Sequence, residues 1–416
     1  MEADSKSTIV EFDRRQVYRP FIERLNPIAS LLDLVADDLI VARDHDPRDP
    51  GQPPIHVAFA NSAELSRGSQ MALVGGIGSG KTTELLLTKQ ALSRHSDAVT
   101  IFVDLANDTD LSDLNTGAIL AAIGMRLYSH LRMTRKDLPK DLVAAHGKLR
   151  ELAFGKTILV VPEEQDYDGG EETVRVDVPG LMRLRFPALR REVKEVKELL
   201  LRIASPLLES DAQITILIDG LDRLIMAERF REYAEQDLQV LRGTKMTAIV
   251  VAPLLLWYDK SRFLQDYFDL VKHIPAAAAD PGDSVFLKQV LERRGAQELM
   301  DRADVSSIAK YSGGVLRDLL TLARSAAEYA YRDDQDRIGR QHVRAAIKQL
   351  GNRYLVGLGR SHRSLLRRLA MNQEFPIEDS TARELLVNRQ VLEYFRGGRE
   401  FFDVHPALAK VLPKPA

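Results

Sequence analysis

Residues Val74 to Leu86 read VGGIGSGKTTELL. The pattern Gly75-x-x-x-x-Gly80-Lys81-Thr82 directly follows the apolar run MALV (Met71 to Val74) and opens the helical stretch TTELLLTKQAL. A strand, a glycine-rich turn and a helix in that order can cradle phosphates: backbone N–H groups face the anion, and the helix N-terminus adds partial positive charge. Gly75, Gly76, Gly78 and Gly80 let the backbone curl, with Ile77 and Ser79 between them. Lys81 is expected to reach the β- and γ-phosphates, and the Thr82 hydroxyl, followed by Thr83, to coordinate Mg2+. The expected ligands are therefore a nucleoside triphosphate and Mg2+.

Such a loop needs an acid at the end of a neighbouring strand to hold the magnesium shell. The stretch ITILIDGLDRL, Ile214 to Leu224, supplies Asp219 after five mainly apolar residues. Asp222 is expected to orient or deprotonate the attacking water, since Gly220 stands where many ATPases place glutamate. Capping the following helix is the alternative use of Asp222.

Outward from these two stretches, short apolar runs alternate with helical patterns. The runs VTIFVDL (99–105), MTAIVVAP (246–253) and LVKHIP (270–275) alternate with helices such as TGAILAAIGMRLYSHL (116–131) and AERFREYAEQDLQVL (227–241). That order predicts an α/β fold with a mostly parallel sheet covered on both faces. Two β-prone arms around YDGGEE predict a hairpin insertion at 155–187, and a charged helix follows it. The basic run MRLRFPALRREVK beside it is a contact surface or a solvated helix face. Residues 1–66 read as an N-terminal arm with a helix around PIASLLDLVADDLIVA and a surface loop, RDHDPRDPGQPP. The core spans 67–278, and the pattern is all-helical over 279–350. Residues 351–416 pair helices with two aromatic-rich strands around RGGR, which predicts a winged helix.

Of the 416 residues, 45% are apolar; 58 Lys and Arg nearly balance 60 Asp and Glu, and there is no cysteine. The chain reads as globular, with no whole-chain field for nucleic acid or membrane and no disulfide framework or thiolate site. No apolar run approaches the roughly 20 residues of a membrane span. A soluble, cytoplasmic protein with no membrane partner is the expectation. Histidines show no paired metal-ligand spacing, and no other hydrolase motif is visible.

The loop and the acidic strand resemble the AAA+ and STAND groups of P-loop ATPases, the hhhhDGLD form being especially similar to STAND-type switches. The resemblance covers roughly 67–350 and implies an ASCE-type three-layer fold, a sheet of order 5-1-4-3-2 and a helical lid. The stretch IAKYSGGVLRDLLTLARSA is similar to the second-sensor helix of origin-recognition ATPases, which implies that Arg317 touches the γ-phosphate; pairing with nearby acids is the alternative. Ala252 and Pro253 occupy the region where that family carries a polar first sensor, which implies slow or partner-stimulated hydrolysis. Arg262 in DKSRFLQDYF is the position for an arginine finger, or else part of a solvated helix face.

The function implied is an ATP-dependent molecular switch, assembling as a homo-oligomer, changing lid angle with nucleotide state and acting on a protein effector; the resemblance alone implies a bacterial conflict or defence setting. The alternative is an initiator-like or transposition-regulator-like ATPase that binds DNA through 351–416. There, 11 Lys and Arg face 7 Asp and Glu, a modest surplus. A protein-facing role for that module stays open beside the DNA-facing one.

Overall fold

The computed structural model describes residues 13–26, 38–94, 97–108, 111, 114, 116–154, 192–224, 227–277, 281–372 and 374–412. The hairpin expected at 155–187 lies outside these residues, as does most of the helix expected over 27–42. Residues 38–43 are described and are not helical; Asp38 has φ 51°, which breaks a helix there. Two compact units are formed: one from residues 55–74 and 84–273, the other from 1–54, 75–83 and 274–416. Helix α1 (Arg14–Arg24) belongs to the latter and is capped by Asp13, whose carboxylate accepts from the backbone N–H of Arg15 at 3.0 Å.

The first unit is built on a parallel sheet. Helix α2 (Ile55–Leu65) leads into β1 (Gln70–Gly75), and α3 (Lys81–Leu92) and β2 (Ala98–Asp104) follow. Helices α4 (Ala118–Thr134), α5 (Lys140–Phe154) and α6 (Val193–Leu208) then precede β3 (Gln213–Asp219). After α7 (Ala227–Tyr233) come β4 (Thr247–Ala252) and β5 (Leu270–Ile274). The five strands lie in the order β2-β3-β4-β1-β5, which is the order implied by the family resemblance. Every residue of β1, β3 and β4 is buried, whereas the outer strands β2 and β5 are only partly so. Central strands covered on both faces must be apolar throughout, which is why QMALVG, QITILID and TAIVVA read as continuous runs.

Helix α5 had no counterpart in the sequence reading. Its apolar positions Leu142, Ala145, Leu149 and Leu152 recur at helical spacing and are buried. The helix expected over 227–241 begins as α7 but continues as a π-turn, Ala234–Leu238. That turn carries Asp237, whose buried carboxyl accepts from the backbone N–H of Gly117 at 2.8 Å and of Ile119 at 3.2 Å, capping α4 from a distant element. Burial pushes this carboxyl up to about 7, against the pull of those N–H donors.

Among the described residues, the second unit is mainly helical and carries an antiparallel hairpin. Helices α8 (Pro281–Glu292), α9 (Arg302–Tyr311), α10 (Leu316–Arg332) and α11 (Arg340–Leu355) are followed by α12 (Arg360–Asn372) and α13 (Ser380–Val387). Strands β6 (Val391–Arg396) and β7 (Arg399–Val404) pair antiparallel across Gly397 and Gly398, whose positive φ angles suit a two-residue turn. A single hydrophobic cluster draws Tyr18 and Phe21 from α1, Leu319 and Ala323 from α10, Ile347 from α11, Leu366 from α12, Leu385 from α13 and Val404 from β7. Among the described residues no helix is long and apolar enough to cross a membrane.

Candidate nucleotide-binding site

The loop from Gly75 to Gly80 leaves the C-terminal end of β1, and α3 begins at Lys81. Gly78 and Gly80 have φ of +82° and +105°, the left-handed region that favours glycine. Gly75 is required for a different reason: a Cβ there would meet the Ile274 carbonyl oxygen at 2.6 Å. At Gly76 a Cβ would meet nothing within 4 Å, so packing does not demand that glycine. The buried Lys81 ammonium donates to the carbonyls of Gly75 at 2.8 Å and Gly76 at 2.7 Å, which ties its side chain across the loop. Ser79 is buried, and its Oγ has no hydrogen-bond partner among the described residues. Ile77, Thr82 and Thr83 are half-buried. Deeper in α3, Glu84 accepts from the backbone N–H of His56, an acid well placed in the first turn of a helix.

Such a loop, on the strand next to β4 in a parallel sheet of this order, decides the fold. The fold is that of a P-loop NTPase. In a P-loop NTPase, ligands meet the sheet at the carboxyl ends of its strands. Asp219 is the last residue of β3, is buried, and accepts from the N–H of Gly220 at 2.7 Å. Gly220 has φ +95°, and a Cβ on it would lie 2.7 Å from the backbone nitrogen of Ala106. Glutamate is therefore excluded at this position by the backbone itself. Asp222 is half-buried inside the turn Leu221–Arg223, five positions before α7 begins. Ala252 closes β4 fully buried, and Pro253 follows it. Arg262 is exposed, with φ 55°, at the start of a short helix, Phe263–Tyr267.

Arg317 lies in the first turn of α10, and that turn is packed on the P-loop. A Cβ on Gly78 would stand 2.8 Å from Arg317 Cβ and 3.0 Å from Val315 Cγ1; one on Gly80 would stand 3.0 Å from Leu316 Cδ1. The structure thus brings together Gly75 to Thr83 and Arg317 within one unit. Asp219, Asp222 and Arg262 belong to the other unit.

The sequence reading missed the residues that hold α10. Asp318 is buried; it accepts from Tyr354 Oη at 2.5 Å and from Arg389 Nη1 at 3.1 Å, and His405 Nε2 stands 3.5 Å away. Burial alone would push this carboxyl up, but His405, Arg389 and Tyr354 together hold it below its ordinary value. The available signal was its position: Asp318 falls on the buried face of α10 with Leu319 and Leu322.

No family model matches the chain, and no curated protein does. Solved structures similar in fold include the Aeropyrum pernix Orc1 protein in complex with DNA, at 17% identity over 86% of this chain and 90% of that one, with TM-score 0.43. Drosophila ORC bound to DNA gives 13% identity over 97% and 92%, with TM-score 0.41. The Thermotoga maritima RuvB Holliday junction branch migration motor gives 16% identity over 76% and 73%, with TM-score 0.37. The assignment as a P-loop NTPase rests on the loop geometry and the strand order rather than on these likenesses.

Proposed function

We propose that the chain is an ATP-binding switch of the AAA+/STAND kind that hydrolyses ATP slowly or under partner control. The observation that carries the reading is the packing of Val315, Leu316 and Arg317 against Gly78 and Gly80, because a γ-phosphate in the loop would then meet an arginine on the lid helix. The residues fit a triphosphate: left-handed glycines at 78 and 80, a buried ammonium at 81 and the unsatisfied Ser79 hydroxyl together suit an anion. Thr82 and Asp219 offer oxygen donors, the hard ligands that Mg2+ takes. When bound, Mg2+ would neutralise charge on the β- and γ-oxygens. Lys81 would hold the same phosphates, Asp219 the metal shell, Asp222 the attacking water and Arg317 the γ-phosphate. With Gly220 fixed as glycine and Ala252 and Pro253 apolar, the set is poor in catalytic groups, which favours slow turnover. Arg262, being exposed, suits a finger offered to a neighbouring copy in a homo-oligomer. A cytoplasmic protein effector, in a conflict or defence setting, would be the output.

The test is ATP binding and turnover by the purified chain and by Lys81→Ala and Asp222→Asn. Lys81→Ala should lose most of its ATP affinity, and Asp222→Asn should bind ATP but stop turning it over. Normal affinity in the first variant would defeat the reading, and unchanged turnover in the second would remove Asp222 from it.

A second reading, DNA binding by a winged helix in 351–416, has its own observation. Arg360, Arg363, Arg367 and Arg368 on α12, and Arg396 and Arg399 at the hairpin turn, are all exposed. Duplex binding that weakens steeply with salt and needs 351–416 would support it; indifference of turnover to DNA would favour the switch.

A further inference from the structure

A cavity of about 470 Å³ opens among α8, α9, the Gly313–Gly314 turn and the β6–β7 hairpin, all within one unit. That volume is within the ~300–1,000 Å³ usual for small-ligand sites. Three chemistries meet in its lining. Tyr394 and Phe401 are cross-strand partners with ring centroids 5.3 Å apart at 30°, and they form an aromatic wall. Lys310 and Arg396 bring two cationic groups with exposed side chains, and the Arg396 guanidinium lies 6.0 Å from the Phe401 ring centroid. Ser284 and Ser306 add hydroxyls, and Asp403 is the single acid of the lining.

We propose that this cavity binds a nucleoside monophosphate, its base against Tyr394 and Phe401 and its phosphate between Lys310 and Arg396. A planar ring is what an aromatic wall selects, since stacking of a base on an aromatic side chain contributes ~1–3 kcal/mol. Two cations against one acid favour a dianion over a neutral nucleoside. The acid has its own use: Asp403 can accept from ribose hydroxyls, which a simple organic phosphate lacks.

The cavity is also wired to the phosphate loop by direct contacts. Tyr394 Oη donates to the Gly313 carbonyl at 3.1 Å, and the Tyr394 ring packs in one buried cluster with Val315. Val315 in turn bears on Gly78. A Cβ at Gly314 would run into the Ala277 carbonyl, so the turn that leads from the cavity to α10 is packed tightly against another residue of the cavity lining. Occupancy of the cavity should therefore change ATP affinity, and ATP should change the monophosphate's affinity by the same factor. This coupling rests on the nucleotide reading above; the cavity's own ligand does not.

The experiment is calorimetric titration of AMP, GMP, CMP and UMP into the full chain carrying Lys81→Ala, so that the phosphate loop is disabled. Wild-type protein saturated with ADP is titrated in parallel, in case Lys81→Ala fails to fold. At least one monophosphate should bind with Kd below about 1 mM. Arg396→Ala, a change at an exposed side chain, should weaken it at least tenfold, and the matching nucleoside should bind at least tenfold more weakly. Absence of binding by all four in both proteins would overturn the proposal. So would binding that Arg396→Ala and Lys310→Ala leave unchanged. Loss of ATP binding by the wild type would defeat the phosphate-loop reading alone, because the Lys81→Ala titration does not depend on it.

Discussion

The phosphate loop and the Asp318 cluster are the two polar assemblies that fix the first turn of α10, and they are built in opposite ways. The loop takes its form from nine consecutive residues, Gly75 to Thr83, and works mainly through backbone groups. The cluster gathers Asp318 and Tyr354 from two helices and Arg389 and His405 from the segments flanking the β6–β7 hairpin, and works through side chains alone. A local assembly is specified by its own residue order and survives changes elsewhere. A gathered one exists only while the whole unit is folded, and so it reports on that unit's integrity. Arg317 and Asp318 are chain neighbours, one bearing on the loop and one anchoring the helix. The loop can therefore be damaged without unfolding α10 and α11, whereas damage to the cluster must disturb both.

Asp318→Ala is the change that tests this hardest. It leaves the buried Tyr354 hydroxyl and the half-buried Arg389 without their common acceptor, and removes the carboxylate that stands 3.5 Å from His405 Nε2. Removing one partner of a buried ion pair costs about 3–5 kcal/mol. Hydrogen exchange should show α10 and α11 losing protection by about that amount, with ATP affinity falling as well. Lys81→Ala should lose affinity with no change in protection of α11. Equal protection of α11 in Asp318→Ala and wild type would show that the cluster does not hold the two helices together.

The same contrast explains what was legible in the sequence. Gly-x-x-x-x-Gly-Lys-Thr at 75–82, and an apolar strand ending in Asp219, announce themselves because strand, turn and helix propensities all act within a few residues. The strand order followed from the resemblance those stretches carry, and the helices from α8 to α13 and the β6–β7 hairpin from their periodicity. The Asp318 cluster was hidden because His405 and Arg389 read, in sequence, like surface polar residues of a basic C-terminal module; only folding shows that they share a carboxylate. Asp237 was hidden for the same reason, as it caps a helix more than a hundred residues earlier. At Gly220 the sequence showed a missing glutamate but not its cause, which lies in the approach of Ala106 from another element.

Two buried aspartates, one in each unit, respond to pH with opposite signs. Asp237 is held by backbone N–H groups and is pushed up from 3.8 to about 7 by burial, whereas Asp318 has Arg389 and His405 and is held below its ordinary value. A raised carboxyl contributes stability that is full below its unfolded value and lost as pH rises through the folded one. The unit containing Asp237 should therefore weaken between about pH 5 and pH 7, by an amount on the order of 2 kcal/mol. Asp237→Asn should remove that slope. The depressed Asp318 works the other way: its contribution is present at neutral pH and is lost only on acidification below its ordinary range. Hydrogen exchange followed separately in α4 and α10 would read the two signs, and the same sign in both would contradict the assignment.

The smallest expected effect lies inside the loop, between two glycines that the sequence presents as equivalent. Gly76 has open space where a Cβ would go, and its φ is not in the left-handed region; Gly78 has φ +82° and the start of α10 against it. An alanine at 78 must adopt a left-handed backbone, at a cost of about 1–2 kcal/mol, and must also displace Arg317 and Val315. Gly78→Ala should therefore weaken ATP binding and lower protection of residues 75–83 and 315–321 together, while Gly76→Ala leaves both near wild type. If Gly76→Ala proved the more damaging, the loop would owe its form to the approach of the ligand to the backbone rather than to the packing of α10. If Gly78→Ala affected residues 75–83 alone, the contact between the loop and α10 would not be the route by which a ligand in the loop is felt at Arg317.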